Sequence, residues 1–123
     1  MEIMCFQIQK DPGLWYSVEY SSFLVGSEAD KYRLSVFGFS GDTGDALAAP
    51  VNPNRICNGM QFTTPDQDND NNSVGHCGGG IDGWWYNRCA RSYLNRKGNA
   101  IWNAETDASI PDVISSRMLV KLD

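Results

Sequence analysis

The sequence is poor in the residues on which most enzyme active sites depend. It contains one histidine, His76, and no CxxC pair among its four cysteines, which disfavours a zinc ribbon and a thioredoxin-like redox site. His76 precedes Cys77, but consecutive residues rarely attain the geometry of a nucleophile and its base, so a solvent-facing loop histidine is the simpler interpretation. The acidic side chains outside one loop are scattered and suggest no acid and base pair. The chain is therefore predicted not to be an enzyme.

Membrane and nucleic-acid partners are also disfavoured. No apolar run approaches the about 20 residues of a membrane-spanning helix. Lys and Arg number 10 against 15 Asp and Glu, a net charge of -5, so no basic surface for phosphate binding is expected. The N-terminus does not resemble a signal peptide, because Glu2, Gln7, Gln9 and Lys10 interrupt any hydrophobic region. A chain of 123 residues is predicted to form one domain.

The most informative stretch is 66–89, DQDNDNNSVGHCGGGIDGWWYNRC. It opens with three aspartates at alternate positions, which make an oxygen-rich loop of the kind that a hard cation such as calcium needs. These are Asp66, Asp68 and Asp70. The EF-hand pattern fails here, because Asn71 stands where glycine is required and Cys77 where glutamate is required. From the residues alone, both a calcium loop and an Asx-rich turn without an ion remain open.

The cysteines suit an oxidising compartment, since their number is even, but four cysteines allow three connectivities. Cys5 and Cys57 can pair with each other, contact a segment outside this chain or remain free. Cys5 is most simply read as a small buried hydrophobe in a strand. The tandem tryptophans 84–85 between the other two cysteines are predicted to be core residues, because each buries a large apolar area.

Short strands followed by irregular structure are predicted along the chain. Residues 38–83 are dense in Gly, Asn, Asp, Ser and Pro, and are predicted to be a long loop region with a short helical turn at 45–47. The motif Lys10-Asp11-Pro12-Gly13 is predicted to be a hairpin turn. The predicted strands are 2–9, 14–20, 22–26, 31–37 and 117–122.

Four motifs follow one another along the chain: EYSSFLVGSEADKYRL at 19–34, GFSGDTGDAL at 38–47, NGMQFTTPDQDND at 58–70 and GWWYNRC at 83–89, with Leu94-Asn95 after them. Their order and spacing resemble the C-terminal part of a fibrinogen C-terminal domain, the module shared by fibrinogens, ficolins, tenascins, angiopoietins and invertebrate fibrinogen-related lectins. Residues 98–123 match more loosely. The resemblance implies that 1–123 is one such domain, truncated at its N-terminal side and without the family's first disulfide.

The resemblance also implies a fold and a metal site. The expected fold is α+β, with short antiparallel strands and a long irregular loop region ordered by calcium and a disulfide. The disulfide would join Cys77 to Cys89. Calcium would be bound by Asp68 and Asp70 together with backbone carbonyls within 72–75, assigned to Asn72 and Val74. Cys77 lies one residue further from Asp68 than is usual in the family, so that these carbonyls are uncertain by one residue.

A ligand pocket beside the calcium site is a further implication. The family has a cis peptide before its second cysteine, which here is the bond between Arg88 and Cys89, and the residues expected at the pocket are Arg88, Cys89, Ala90 and Tyr93. Many lectin-type and fibrin-type members have histidine where this chain has Ala90. Aromatic walls are also scarce, since Trp102 is the sole aromatic residue after Tyr93.

The function implied by this resemblance is that of a secreted, extracellular, calcium-binding recognition module. Its expected ligands are glycans or acetylated surface groups in an innate-immune, lectin-type role. The alternative is a protein–protein module that binds a cell-surface protein, either a signalling ligand of the angiopoietin kind or a matrix or polymerising protein of the tenascin or fibrinogen kind. Ala90 in place of histidine favours this alternative. Assembly into a homo-oligomer is expected to use segments outside this chain.

Overall fold

The computed structural model describes residues 3–49, 52–78, 82–96, 100–102 and 113–122. Their main element is a four-stranded antiparallel sheet in the order β3-β2-β1-β6, with a separate two-stranded sheet of β4 and β5. Single 3-10 turns occur at Glu28–Asp30 and Pro53–Arg55. The strands are β1 Ile3–Asp11, β2 Leu14–Val25, β3 Leu34–Gly41, β4 Ser92–Tyr93, β5 Ile101–Trp102 and β6 Ser115–Lys121.

The expected antiparallel strands and long irregular region are confirmed. The α+β label is not confirmed, because the described residues contain the two 3-10 turns and no α-helix. The described part of the chain also has no helix that is long and apolar enough to cross a membrane.

The β1–β2 hairpin follows from alternation of apolar and polar residues. Met4, Phe6 and Ile8 point to one face and are buried, because successive side chains of a strand point to opposite faces. The turn between the strands is completed by Gly13, whose φ of 81° favours glycine. Residues 14–20 and 22–26 were predicted as two strands, but 14–25 form the single strand β2, which ends at Val25.

The pairing of β2 with β3 depends on a close approach. Tyr20 lies opposite Phe39 and Ser22 opposite Phe37, which brings Ser21 against Gly38. Gly38 has a φ of 76°, and a Cβ added to it would lie 1.7 Å from the Ser21 Oγ. A larger residue therefore does not fit without displacing the Ser21 side chain.

The predicted strand 31–37 is wrong in its first half. The structure places β3 at Leu34–Gly41 and gives Lys31 and Tyr32 positive φ angles of 53° and 57°. These two residues form a left-handed corner after the 3-10 turn. The corner is held because the Lys31 carbonyl accepts a hydrogen bond from the Phe62 amide at 2.9 Å and the Tyr32 carbonyl accepts one from the Trp85 indole at 2.9 Å.

The core lies between one face of the sheet and the irregular region. Phe6 is its centre, with ring centroids of Tyr20, Phe23 and Trp102 at 6.0, 6.3 and 5.3 Å. Trp84 and Trp85 are buried, which confirms that they are core residues. The irregular region thus supplies large aromatic groups that cover the apolar face of the sheet.

The turn expected at 45–47 is present at 46–48. Asp45 organises it, since its Oδ1 accepts hydrogen bonds from the amides of Leu47 and Ala48 at 3.2 and 2.9 Å. The hydroxyl of Tyr20 donates a hydrogen bond to the same carboxylate. This contact ties the GDAL motif to strand β2.

Strand β6 closes one side of the sheet, as predicted for 117–122. It pairs with β1 from Ile3 opposite Lys121 to Gln9 opposite Ser115. Arg117 lies on the outer face of the sheet, where its guanidinium carbon is 4.7 Å from the centre of the Trp15 ring. This distance is that of a cation–π contact.

Candidate functional site

Asn87 connects the carboxylate loop to the segment that precedes the second cysteine of the disulfide. Its side-chain amide donates to the carbonyl of Ile56 at 3.1 Å, and its own carbonyl accepts a hydrogen bond from the Asn71 amide at 3.0 Å. The next residue, Arg88, donates its backbone amide to the Asn54 carbonyl at 2.9 Å. Three separate stretches of the irregular region therefore meet at Asn87, which is itself buried.

The disulfide lies at the same junction. The structure joins Cys77 to Cys89, with a Cα–Cα distance of 5.6 Å, as the resemblance implies. The shift of Cys77 by one residue therefore does not prevent the pairing. The peptide bond between Arg88 and Cys89 is cis, also as implied.

The carboxylate loop is built from successive Asx turns. The Asp68 Oδ1 accepts from the Asp70 amide at 3.2 Å, the Asp70 Oδ1 from the Asn72 amide at 2.9 Å, and the Asn72 Oδ1 from the Val74 amide at 3.3 Å. The Asp70 Oδ2 accepts from the Cys77 amide at 2.7 Å. The loop is thus shaped by its own hydrogen bonds, and Asp70 links it directly to the disulfide.

The donor set of this loop suits a hard cation. The two carboxylates of Asp68 and Asp70 each retain lone pairs beyond the hydrogen bonds that they accept, and carboxylate and carbonyl oxygens are the ligands that calcium prefers. No group of three or more His, Cys, Asp or Glu side chains in the described ranges is placed to hold a metal. A calcium site here would therefore depend on two carboxylates and backbone carbonyls.

Asp66 has a hydrogen-bond partner outside this donor set. Its Oδ1 accepts a hydrogen bond from the Thr64 hydroxyl at 2.7 Å, and this bond lowers the pKa of the Asp66 carboxyl. His76 also differs from the expected solvent-facing loop residue. It is half-buried, and its Nε2 lies 3.0 Å from the Thr64 carbonyl oxygen. Both side chains are held by Thr64, so they brace the loop.

The residues expected at the ligand pocket are not equally accessible. Arg88 is exposed and Cys89 and Tyr93 are half-buried. Ala90 has an exposure of 0%, so its side chain is covered in this structure, and its place at the pocket stays a prediction. The Ala90 amide donates a hydrogen bond to the Tyr93 hydroxyl oxygen at 3.2 Å. The tight turn after the cis peptide buries the small side chain.

Tyr93 is held from two sides. Its ring centroid lies 5.9 Å from that of Tyr86, and the Arg96 guanidinium carbon is 5.2 Å from the ring centre. Trp102, the later aromatic residue, is fully buried in the core and its indole donates to the Gly44 carbonyl at 2.8 Å. Of these two aromatic residues, Tyr93 is therefore the one that remains partly exposed.

Sequence reasoning missed two features near these residues. The first is the turn at 52–56, which contacts the Arg88 backbone through the Asn54 carbonyl. The second is an apolar hollow of about 380 Å³ beside the left-handed corner at Tyr32. Its lining residues are Val25, Tyr32, Phe62, Thr64 and Trp85. In the sequence, the hollow is indicated only by scattered aromatic residues, and such residues are equally typical of a buried core.

Cys5 and Cys57 are free thiols, which removes the alternative in which they pair with each other in this structure. Burial raises the pKa of the Cys57 thiol to about 12. Burial, followed by the nearby Glu19 carboxylate, raises the pKa of Cys5. Both thiols are therefore protonated and poorly nucleophilic near neutral pH.

Comparison with known proteins gives consistent matches. The family model for the C-terminal globular domain of fibrinogen beta and gamma chains matches residues 2–113. Fibrinogen beta chain of Petromyzon marinus is 43% identical over 96 residues, covering 68% of this chain and 20% of that protein. Protein scabrous of Drosophila melanogaster is 37% identical over 106 residues, covering 84% of this chain and 12% of that protein.

The same similarity is visible in three dimensions. The fibrinogen-like globe domain of human ANGPTL2 matches with a TM-score of 0.80 and 26% identity, covering 98% of this chain and 57% of that chain. This chain therefore spans less than two thirds of the length of each of these three matches: 20% and 12% of the two relatives and 57% of the ANGPTL2 domain.

Proposed function

Since the chain belongs to the family of fibrinogen C-terminal globular domains, we propose that it is an extracellular, calcium-binding recognition module rather than an enzyme. Its ligands are glycans or acetylated surface groups, bound in a lectin-type role in innate immunity. The observation that carries this proposal is the junction at Asn87, where the carboxylate loop and the Arg88–Tyr93 segment are held together by hydrogen bonds and a disulfide. An extracellular location agrees with that disulfide, because such bonds persist in oxidising compartments.

The calcium ion would be held by the carboxylates of Asp68 and Asp70 and the carbonyls of Asn72 and Val74. Bound there, calcium supplies positive charge and order to the loop. Asp70 also accepts the Cys77 amide, so ordering of the loop extends to the disulfide and, through Asn87, to Arg88. The ion therefore supports the ligand site without touching the ligand.

Calcium is expected to raise the melting temperature of the oxidised domain. An ion that binds only the folded state, present at 100 times its dissociation constant, stabilises it by about 2.7 kcal/mol. Magnesium is expected to substitute poorly, because it demands tight octahedral geometry. The measurement is thermal unfolding with calcium, with magnesium and with chelator.

Variants in the same loop supply the controls for this measurement. Asp68→Ala or Asp70→Ala is expected to abolish the difference between calcium and chelator, whereas Asp66→Ala should only weaken it. Asp70 also accepts hydrogen bonds from two backbone amides, so Asp70→Ala is expected to lower the melting temperature even without calcium. The quantity to compare is therefore the difference in melting temperature between calcium and chelator. A melting temperature that chelator leaves unchanged in the unaltered domain would contradict the calcium site.

Glycan binding is expected to be weak for a single domain and detectable on multivalent surfaces, since linked sites gain affinity through effective concentration. The experiment is glycan-array binding by a forced oligomer, with free N-acetylated sugars as competitors. Tyr93→Ala is expected to abolish binding because it removes the aromatic ring of the site, and Tyr93→Phe tests the hydroxyl alone. Tyr32→Ala, in the apolar hollow, is the matched aromatic control and should retain binding.

The second candidate function is that of a protein–protein module, either a signalling ligand or a matrix or polymerising protein. The apolar hollow favours it, because Tyr32 and Val25 are 46% and 43% exposed beside Phe62 and Trp85. Exposed apolar groups of this kind are typical of protein interfaces. An oligomer that binds no glycan but captures a cell-surface protein, and loses it in Tyr32→Ala, would favour this candidate over the lectin.

A further inference from the structure

Two cavities adjoin at the left-handed corner. The first is the apolar hollow of about 380 Å³ described above. The second, called the polar hollow below, has a volume of about 240 Å³ and is lined by Glu28, Lys31, Tyr32, Phe62, Thr64 and Gln67. Both cavities are lined by Tyr32, Phe62 and Thr64. A single ligand that lies against these shared walls can therefore contact both cavities.

The shared walls are held by contacts to other parts of the fold. The Tyr32 carbonyl accepts a hydrogen bond from the Trp85 indole at 2.9 Å. The Phe62 ring packs edge-to-face on Trp85, with ring centroids 5.2 Å apart. Thr64 and Gln67 exchange two backbone hydrogen bonds of 3.0 and 3.1 Å. A site with walls fixed in this way loses little conformational freedom when a ligand binds.

The corner itself has an unusual backbone conformation. Lys31 and Tyr32 have φ angles of 53° and 57°, and no other non-glycine residue in the part of the chain that the structure describes has a positive φ. Such conformations persist where surrounding contacts hold them, and they cluster at binding sites. Here the corner leaves the Tyr32 side chain 46% exposed at the border of the two cavities.

The polar hollow carries one charge of each sign. Glu28 and Lys31 are exposed, and within the described ranges neither forms an ion pair with the other or with a third residue. Gln67 is also exposed and adds an amide that can donate and accept hydrogen bonds. A carboxylate and an ammonium that do not pair with each other suit a ligand that carries both opposite charges.

We propose that the two cavities form one binding site for a small zwitterion with an aromatic body, of the aromatic amino acid kind. The ring lies in the apolar hollow, where Tyr32, Phe62 and Trp85 offer aromatic edges and faces. The ligand's ammonium faces Glu28 and its carboxylate faces Lys31, which are charge-assisted contacts. A cavity of about 300–1,000 Å³ that is mostly apolar and has a few polar groups is typical of small-molecule sites.

This inference goes beyond the proposed lectin function, which is assigned to the Arg88–Tyr93 segment. No residue of that segment lines either hollow, so failure of one proposal leaves the other intact. It also differs from the second candidate function, in which the apolar hollow contacts a protein.

The test is a titration of the full, oxidised, nitrogen-15-labelled chain with L-tryptophan, followed by the indole N–H signals of its four tryptophans. The Trp85 indole is bonded to the Tyr32 carbonyl, so its signal reports on the corner. It should shift and saturate with a dissociation constant on the order of 1 mM or lower. Trp15, which lies against Arg117, is the internal control, and its signal should not move.

Three further probes test which groups of the ligand are recognised. Tryptophanamide lacks the carboxylate and N-acetyltryptophan lacks the ammonium, so each should bind about tenfold more weakly than tryptophan. Glycine carries both charges without a ring and should leave the Trp85 signal in place. Equal binding of tryptophan and its two derivatives would overturn the assignment of a zwitterion.

Substitutions assign each contact to a residue. Lys31→Gln should weaken the binding of tryptophan about tenfold and leave that of tryptophanamide unchanged, because this probe has no carboxylate. Glu28→Gln should likewise weaken tryptophan and leave N-acetyltryptophan unchanged. Both residues are exposed, so these variants are expected to fold. Lys121→Gln on β6 and Glu19→Gln on β2 remove the same charges from exposed positions and should not affect binding.

Two other results would overturn the proposal. One is a Trp85 signal that no probe shifts, and capture of a protein that is lost in Tyr32→Ala would then assign the apolar hollow to the protein–protein function. The other is a loss of tryptophan binding in Lys121→Gln as large as that in Lys31→Gln, which would show that the overall charge of the chain matters rather than the polar hollow.

Discussion

Phe6→Ala is expected to lower the free energy of unfolding by about 3–5 kcal/mol, the range found when a large buried aromatic residue is truncated. Phe6 is fully buried, and its ring contacts those of Tyr20, Phe23 and Trp102. The loss has two parts, the apolar area returned to water on unfolding and the cavity that the surrounding aromatic rings leave unfilled. Equilibrium unfolding in denaturant measures it.

Two variants define how this result is interpreted. Phe6→Leu keeps most of the buried volume and should lose less than Phe6→Ala. Leu24→Ala truncates an apolar residue of β2 that is 55% exposed, so it should change stability by about 0.5 kcal/mol or less. Similar losses for Phe6→Ala and Leu24→Ala would show that Phe6 is not at the centre of the core.

Removal of the disulfide, by Cys77→Ala together with Cys89→Ala, is expected to cost about 3 kcal/mol. The bond closes a short loop with a sequence separation of 12, which restricts the unfolded chain. Because the Cys77 amide is bonded to Asp70, the same variant should also weaken the response to calcium. Denaturant unfolding with calcium and with chelator measures both effects.

Cys5→Ser is the control, since Cys5 is a free, half-buried thiol on a strand. It should leave the calcium response unchanged. Peptide mapping without reduction should find Cys77 joined to Cys89. Recovery of Cys77 joined to Cys57 would mean that the pairing in the structure is not the one that forms in solution.

Local patterns predicted the elements whose hydrogen bonds are made between neighbours in sequence. The β1–β2 hairpin was predictable because its turn motif and its alternation are both local. The start of β3 at Leu34 was not predictable, because Tyr32, Leu34 and Val36 alternate with polar residues and the pattern therefore indicated a strand from residue 31 onwards. The left-handed corner at Lys31 and Tyr32 is held by Phe62 and Trp85, which are distant in sequence, and tertiary contacts overrode the local pattern.

The candidate site shows the same division between features that sequence motifs predicted and features that contacts between distant residues decided. The family motifs predicted the disulfide and the cis peptide at Arg88–Cys89, both of which the structure contains. The calcium ligands and the binding role of Arg88 and Tyr93 remain predictions. The burial of Ala90 was not predictable, because the path of the turn after Cys89 depends on its contact with Tyr93.

The sequence by itself determined the family, the sheet's apolar face and the cysteine pair, because each is recorded in residues that are close together or in motifs of recognisable order. The tertiary structure alone decided which side chains share a surface. The turn at 52–56 meets the segment at Arg88 through the hydrogen bond from the Arg88 amide to the Asn54 carbonyl, and the apolar hollow forms where β2, the corner at Tyr32 and the loop around Phe62 converge. Such surfaces depend on contacts between distant segments, whose geometry is set by packing of the whole core rather than by any local pattern.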